Sequence, residues 1–98
     1  MALAVLINNQ TAAVALAGAT EFSPTGPFVI DANSLKPGEY IILYKLFSDG
    51  VYHPATNKDG AIILSAFPNN VIVDAPGSYK LVKPTVTSVG VTAGWEAV

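Results

Sequence analysis

The chain has 98 residues, the length of one domain, and a formal net charge of −2. Only 12% of its residues are charged and 51% are hydrophobic, whereas about a quarter of the residues in typical globular domains carry a charge. The absence of cysteine excludes disulfide bonds and thiolate metal sites. A domain so poor in charge is expected to have part of its surface covered by neighbouring molecules.

Nucleic-acid and membrane partners are not expected from the distribution of residues. The chain has no arginine and its five lysines are scattered, whereas nucleic-acid binding requires clustered cations. The longest apolar stretches, Ala2–Ile7 and Ala12–Ala17, are far shorter than the roughly 18–20 residues of a membrane-spanning helix. A signal peptide is not expected either, because no basic residue precedes Lys36. Only the segment at 17–19 imitates a cleavage site.

Alternation with a period of two residues predicts β-strands from the beginning of the chain to its end. The predicted strands are, in chain order, Ala2–Ile7, Phe28–Asp31, Tyr40–Phe47, Val51–His53, Ala61–Phe67, Val71–Asp74, Tyr79–Val82 and Val86–Thr92. Thr11–Ala17 and Trp95–Val98 are further candidate strands.

Turn residues divide these strands at regular intervals. Turns are predicted at Ser48–Gly50, Asn57–Gly60 and Ala75–Ser78, and the two prolines of Ser23–Pro27 require a loop. About eight short strands spaced every 8–12 residues are typical of a sandwich or barrel. We therefore predict one all-β domain over residues 1–98, a small antiparallel β-sandwich that is Ig-like or jelly-roll-like.

A tyrosine follows a proline-glycine turn at Asp74–Tyr79, and a similar arrangement occurs at Asp31–Tyr40. In sandwiches, such a tyrosine can form a corner in which its hydroxyl binds the backbone upstream. The alternative is a pair of ordinary hairpins that share common turn residues.

The strand Tyr40–Phe47 is apolar on both faces, although an exposed antiparallel sheet usually has one polar face. We predict that one face builds the core and the other packs against another subunit; the alternative is a cover formed by the loop Ser23–Pro27. The predicted core face comprises Tyr40, Ile42, Tyr44 and Leu46. The predicted interface comprises Ile41, Leu43 and Phe47, together with Trp95.

No pattern of residues indicates catalysis, a metal site or a cofactor. His53 is the only histidine, and catalytic or metal-binding histidines need partner residues. Asp31 and Asn33 begin like a calcium loop, but Leu35 and Lys36 occupy positions where such a loop needs a ligand and a glycine. Trp95 and the tyrosines could instead form a platform for stacking sugars, so a carbohydrate-binding module is an alternative function.

The order of several motifs resembles that of small bacteriophage virion proteins. Each motif alone reflects common hairpin chemistry, and their order along most of the chain carries the resemblance. The matching segments are Val5–Ile7 with Gln10-Thr11, Gly26–Phe28, Ser48–Tyr52, Asn70–Val73, Pro76–Val82 and Thr87–Thr92. The glycine-rich middle of that family is replaced here by Asp31–Gly38.

The resemblance implies a non-enzymatic component of the virion, either a capsid decoration protein or a neck or tail accessory protein. Its implied partners are other virion proteins and further copies of itself. The expected function is therefore capsid decoration or stabilisation through protein–protein contacts.

Overall fold

The computed structural model describes residues 3–98, and they form an all-β structure with one 3-10 turn at Leu16–Gly18. The strands are β1 (Ala4–Gln10), β2 (Glu21–Phe22), β3 (Phe28–Asn33), β4 (Tyr40–Leu46), β5 (Tyr52–Pro54), β6 (Thr56–Asn57), β7 (Gly60–Ala61), β8 (Ile63–Ser65), β9 (Asn70–Val73), β10 (Tyr79–Val82) and β11 (Val91–Ala97). The first residue of the predicted strand Ala2–Ile7 lies outside the described residues.

The strands form two antiparallel sheets that enclose the hydrophobic core. The first sheet has the order β1-β11-β3-β9, and the second has the order β2-β10-β4-β5, with β8 also paired to β4. Strands β6 and β7 form a separate hairpin, called the finger below. The predicted all-β, antiparallel sandwich is confirmed, with eleven strands rather than about eight. Strands β2, β6 and β7 are two residues long, too short for a periodic pattern.

The two faces of β4 are the reverse of the prediction. Ile41 and Leu43 are fully buried between the sheets, whereas Tyr40 is 36% exposed on the outer side. An alternating pattern predicts a strand, but it does not show which face is buried when both faces are apolar. Leu43 pairs with Leu81, which is equally buried, so the pairing with β10 places both on the core side.

Two other predicted strands are wrong. Thr11–Ala17 contains only an isolated bridge between Val14 and Lys83, followed by the 3-10 turn. Val86–Thr92 is largely a loop, and β11 runs from Val91 through Gly94 to Ala97. A Cβ atom on Gly94 would lie 2.2 Å from the carbonyl oxygen of Ala4, so this glycine permits close approach of β1 and β11 rather than ending the strand.

Of the two candidate tyrosine corners, the one at Tyr79 is present, whereas Tyr40 is exposed on the outer side of β4. The Tyr79 hydroxyl donates a hydrogen bond of 2.7 Å to the carbonyl oxygen of Ala75, while its ring is buried beside Phe28. Burial raises the pKa of the Tyr79 hydroxyl. Gly77 in the same turn has a φ of +152°, a conformation that L side chains rarely adopt. The corner therefore anchors the connection from β9 to β10 across the two sheets.

Lys83 is a buried cation that the sequence analysis did not single out. It is 0% exposed, and its Nζ donates to the carbonyl oxygens of Thr11 (2.7 Å), Ala12 (2.9 Å) and Thr85 (3.0 Å). Burial lowers the pKa of Lys83, and the carboxylate of Glu39 opposes that effect. The lysine thus joins the segment after β1 to the loop before β11.

Candidate interaction surfaces

The outer side of the second sheet carries a largely apolar surface, called the tyrosine face here. It is centred on β4, the strand that pairs with β10, β5 and β8. Its tyrosines come from two neighbouring strands, β4 and β5. Tyr40 is 36% exposed and Ile63 on β8 is 37% exposed. The tyrosine face comprises Tyr40, Ile42, Tyr44, Leu46, Tyr52, Pro54 and Ile63.

The two charged groups at this face, Glu21 and Lys80, make hydrogen bonds within the chain. The hydroxyl of Tyr52 donates to the carboxylate of Glu21 on β2, so the Tyr52 side chain reaches across β4 and β10. Partial burial and the Glu21 carboxylate raise the pKa of Tyr52 to about 12. The Nζ of Lys80 lies 4.8 Å from the centre of the Tyr52 ring and 3.2 Å from the carbonyl oxygen of Leu16. A partner that covers this face would meet two opposite charges whose hydrogen bonds are already made within the chain.

The structure separates the four residues predicted to form an interface. Ile41 and Leu43 lie in the core and are unavailable to a partner. Phe47 is 47% exposed just after β4, and its ring packs edge-on against His53. Trp95 is half-buried on β11 and stacks on Phe22 with ring centres 5.5 Å apart.

His53 belongs to a local hydrogen-bond network. Its Nε2 lies 2.8 Å from Asp49 Oδ2, and the other carboxylate oxygen of Asp49 accepts from the N–H of Val51. The hydrogen bond to His53 is the main reason that the pKa of Asp49 is lowered. These contacts fix the predicted turn between β4 and β5. Within residues 3–98, no three His, Asp or Glu side chains are placed to hold a metal ion.

A second exposed region lies at one edge of the sandwich. Within residues 3–98, β9 pairs only with β3, so its other side is a free strand edge. Ile72 on this strand is 61% exposed. A cleft of about 290 Å³ opens between β9 and the finger. Residues lining the cleft include Phe47, Thr56, Asn57, Ile72, Ala75 and Tyr79.

The loop that leads into β9 presents the most exposed large apolar side chain of the described residues. Phe67 is 94% exposed, and the loop is closed by a hydrogen bond from the N–H of Ser65 to the carbonyl oxygen of Pro68. Val86 and Val89, which are 72% and 41% exposed, lie in the loop between β10 and β11 at the same end of the sandwich.

Hydrogen bonds hold the loops at this end together. The Glu39 carboxylate accepts from the N–H groups of Lys36 (2.8 Å) and Ser88 (3.0 Å). These bonds lower the pKa of Glu39. The loop that carries Val86 and Val89 is therefore tied to the loop between β3 and β4.

Comparisons with protein-family models, with curated proteins and with solved structures found no match for this chain. In the part of the chain that the structure describes, no helix is long and apolar enough to cross a membrane.

Proposed function

We propose that the protein is a non-enzymatic structural component of a bacteriophage particle, a capsid decoration or stabilising protein that acts through protein–protein contacts. The tyrosine face is the observation that supports a binding role most directly. It places seven apolar or aromatic residues on the solvent side of one sheet, where monomeric proteins usually keep exposed apolar patches small. Tyrosine is also among the residues enriched at protein interfaces.

The assignment to a virion rests on the order of motifs along the sequence. A neck or tail accessory protein is the alternative within the same class. Both positions would place the protein among neighbouring virion subunits. Because only 12% of its residues are charged, parts of its surface are apolar, and these subunits would cover them.

Carbohydrate binding is the alternative from another class, and the tyrosines of one face favour it over other small-ligand functions. Tyr40, Tyr44 and Tyr52 share this face, and aromatic rings can stack on the apolar faces of sugars. Trp95 does not join them, because it packs on Phe22 and Phe28. A glycan array probed with the wild-type protein and with Tyr44→Ala would detect such binding.

Occupancy on particles tests the proposed function. Purified phage particles would be incubated with the wild-type protein, with Ile63→Lys, and with Asn33→Lys. Asn33 is exposed on the outer side of the opposite sheet, which makes it a matched control. We expect Ile63→Lys to lower occupancy at least tenfold and Asn33→Lys to leave it unchanged. Absence of the wild-type protein from the particles would refute the virion role, and unchanged occupancy of Ile63→Lys would exclude the tyrosine face as the contact.

A further inference from the structure

Two residues of β9 have backbone N–H and C=O groups that could pair with a further strand. The N–H of Ala32 donates to the carbonyl oxygen of Asn69 (2.9 Å), and the register continues with Ile30 opposite Val71. In an antiparallel pair, hydrogen-bonded and non-hydrogen-bonded positions alternate. Asn70 and Ile72 therefore direct their N–H and C=O groups away from β3, toward the free edge.

This edge lacks the features that usually prevent strands from pairing. Natural edge strands carry lysine, proline or inward-pointing charges that oppose edge-to-edge association. The sequence of β9, Asn-Val-Ile-Val, contains neither a charged residue nor proline. Its short length is the only common protective feature present.

We propose that β9 is a self-association edge, on which β9 of a second copy pairs in antiparallel orientation around a two-fold axis at Val71. Asn70 of each copy would then lie opposite Ile72 of the other. The outward N–H and C=O groups of these residues would form four backbone hydrogen bonds. The two first sheets would join into one sheet of eight strands.

The exposed Phe67 and the cleft are what identify a second copy as the partner. Antiparallel pairing places the loop that precedes β9 in one copy beside the segment that follows β9 in the other. Phe67, in that loop, therefore lies at the end of the contact where Ala75 of the other copy lines the cleft. The same chain thus carries a projecting aromatic side chain and a cavity in matching positions, as a two-fold contact requires.

The size and the charge of the cleft suit this occupant. A cavity of about 150 Å³ is enough to hold benzene, and the cleft measures about 290 Å³. It also contains one cation and one anion, Lys45 and Asp74, which add no net charge to the contact. Two buried phenylalanines contribute about 150–250 Å² each, which is about a third to a half of the roughly 1,000 Å² of a weak specific interface, and the cleft walls and strand edges add to this area.

This inference deepens the proposed function by naming one of the partners of an assembly protein, and for its biological role it rests on that proposal. The contact itself is tested on the purified full-length chain by sedimentation velocity over a concentration series. We expect a concentration-dependent dimer, a dissociation constant at least tenfold weaker in Phe67→Ser, and no dimer in Ile72→Pro. The proline removes only an outward N–H group, so the pairing between β3 and β9 remains.

Two further variants make the test specific. Val86→Ser removes another exposed apolar side chain from the same end of the sandwich and should leave dimerisation unchanged. Val71→Cys introduces the only cysteine of the chain at the axis, where facing Cα atoms of a non-hydrogen-bonded pair lie about 4.5 Å apart, within reach of a disulfide. We expect mild oxidation to cross-link Val71→Cys and not Val86→Cys.

A wild-type protein that stays monomeric up to about 1 mM, or a dimer unaffected by both Phe67→Ser and Ile72→Pro, would overturn the inference. A dimer that forms through β9 in a protein absent from phage particles would instead refute the proposed function alone. Conversely, a particle-bound protein without the β9 contact would refute only this inference.

Discussion

The hydroxyl of Tyr52 on β5 donates a hydrogen bond to the carboxylate of Glu21 on β2, with β4 and β10 lying between the two strands. The two residues are 31 positions apart in the sequence. This contact spans the width of the second sheet and turns the Tyr52 side chain across its outer side. It also gives the Glu21 carboxylate a hydrogen-bond donor from within the chain.

The Tyr52–Glu21 contact predicts a pH dependence at the alkaline end. Folding raises the pKa of the Tyr52 hydroxyl from 10 to about 12. The protonated hydroxyl therefore stabilises the folded state, and this contribution is fully present below pH 10. That contribution is lost as the pH rises from 10 to 12. In a tyrosine absorbance titration, we expect Glu21→Gln to lower the pKa of Tyr52. The value should stay above 10, because partial burial also raises it.

Glu96→Gln is the matched control for that titration, since Glu96 lies on β11 in the other sheet. Its tyrosine titration should follow that of the wild-type protein. Superimposable curves for Glu21→Gln and the wild-type protein would show that the contact does not form in solution.

The orientation of β4 predicts which of its residues stabilise the fold. Leu43 is fully buried, so Leu43→Ala should lower the free energy of unfolding by about 2–5 kcal/mol through lost burial and the cavity that remains. Ile63, on the tyrosine face and 37% exposed, should lose less than about 1 kcal/mol in Ile63→Ala. Urea denaturation measures both, and equal losses would contradict the orientation of the strand.

The buried position of Lys83 predicts that substitution of this one residue strongly lowers the free energy of unfolding. Lys83→Met removes three charge-assisted hydrogen bonds to backbone carbonyl groups and should lower the free energy of unfolding by on the order of 3 kcal/mol. Lys36→Met removes an exposed lysine near the same loops and should change it by less than about 0.5 kcal/mol. If the two variants unfold at the same denaturant concentration, the buried ammonium group does not stabilise the fold.

Much of the fold could be predicted from local signals. Turn residues at 57–60 and 75–78 specify their own hydrogen bonds, such as the one from the N–H of Asp59 to Asn57 Oδ1. The proline-glycine turn before Tyr79 indicated a corner there, but the same spacing before Tyr40 leaves that tyrosine exposed. These features depend on neighbours within a few positions along the chain.

The features that escaped prediction depend on residues distant in sequence. The role of Lys83 requires carbonyl groups 71 and 72 positions away. Which face of β4 is buried depends on the side on which the opposite sheet packs. In the sequence, Gly94 separates two predicted strands. Its role becomes clear only in the structure, where the backbone of Ala4 lies too close for a side chain at this position. The tyrosine face was missed for the same reason, because its residues were assigned to the core.

The pairing of β1 with β11 brings together segments from opposite ends of the sequence, with Ala4 opposite Trp95. Contacts between residues so far apart require closure of a long loop, which slows folding. Until that pairing forms, the backbone groups of β11 that face β1 have no partner strand. An incompletely folded chain therefore exposes the edge of β11, and a high protein concentration at that stage favours pairing between the wrong molecules.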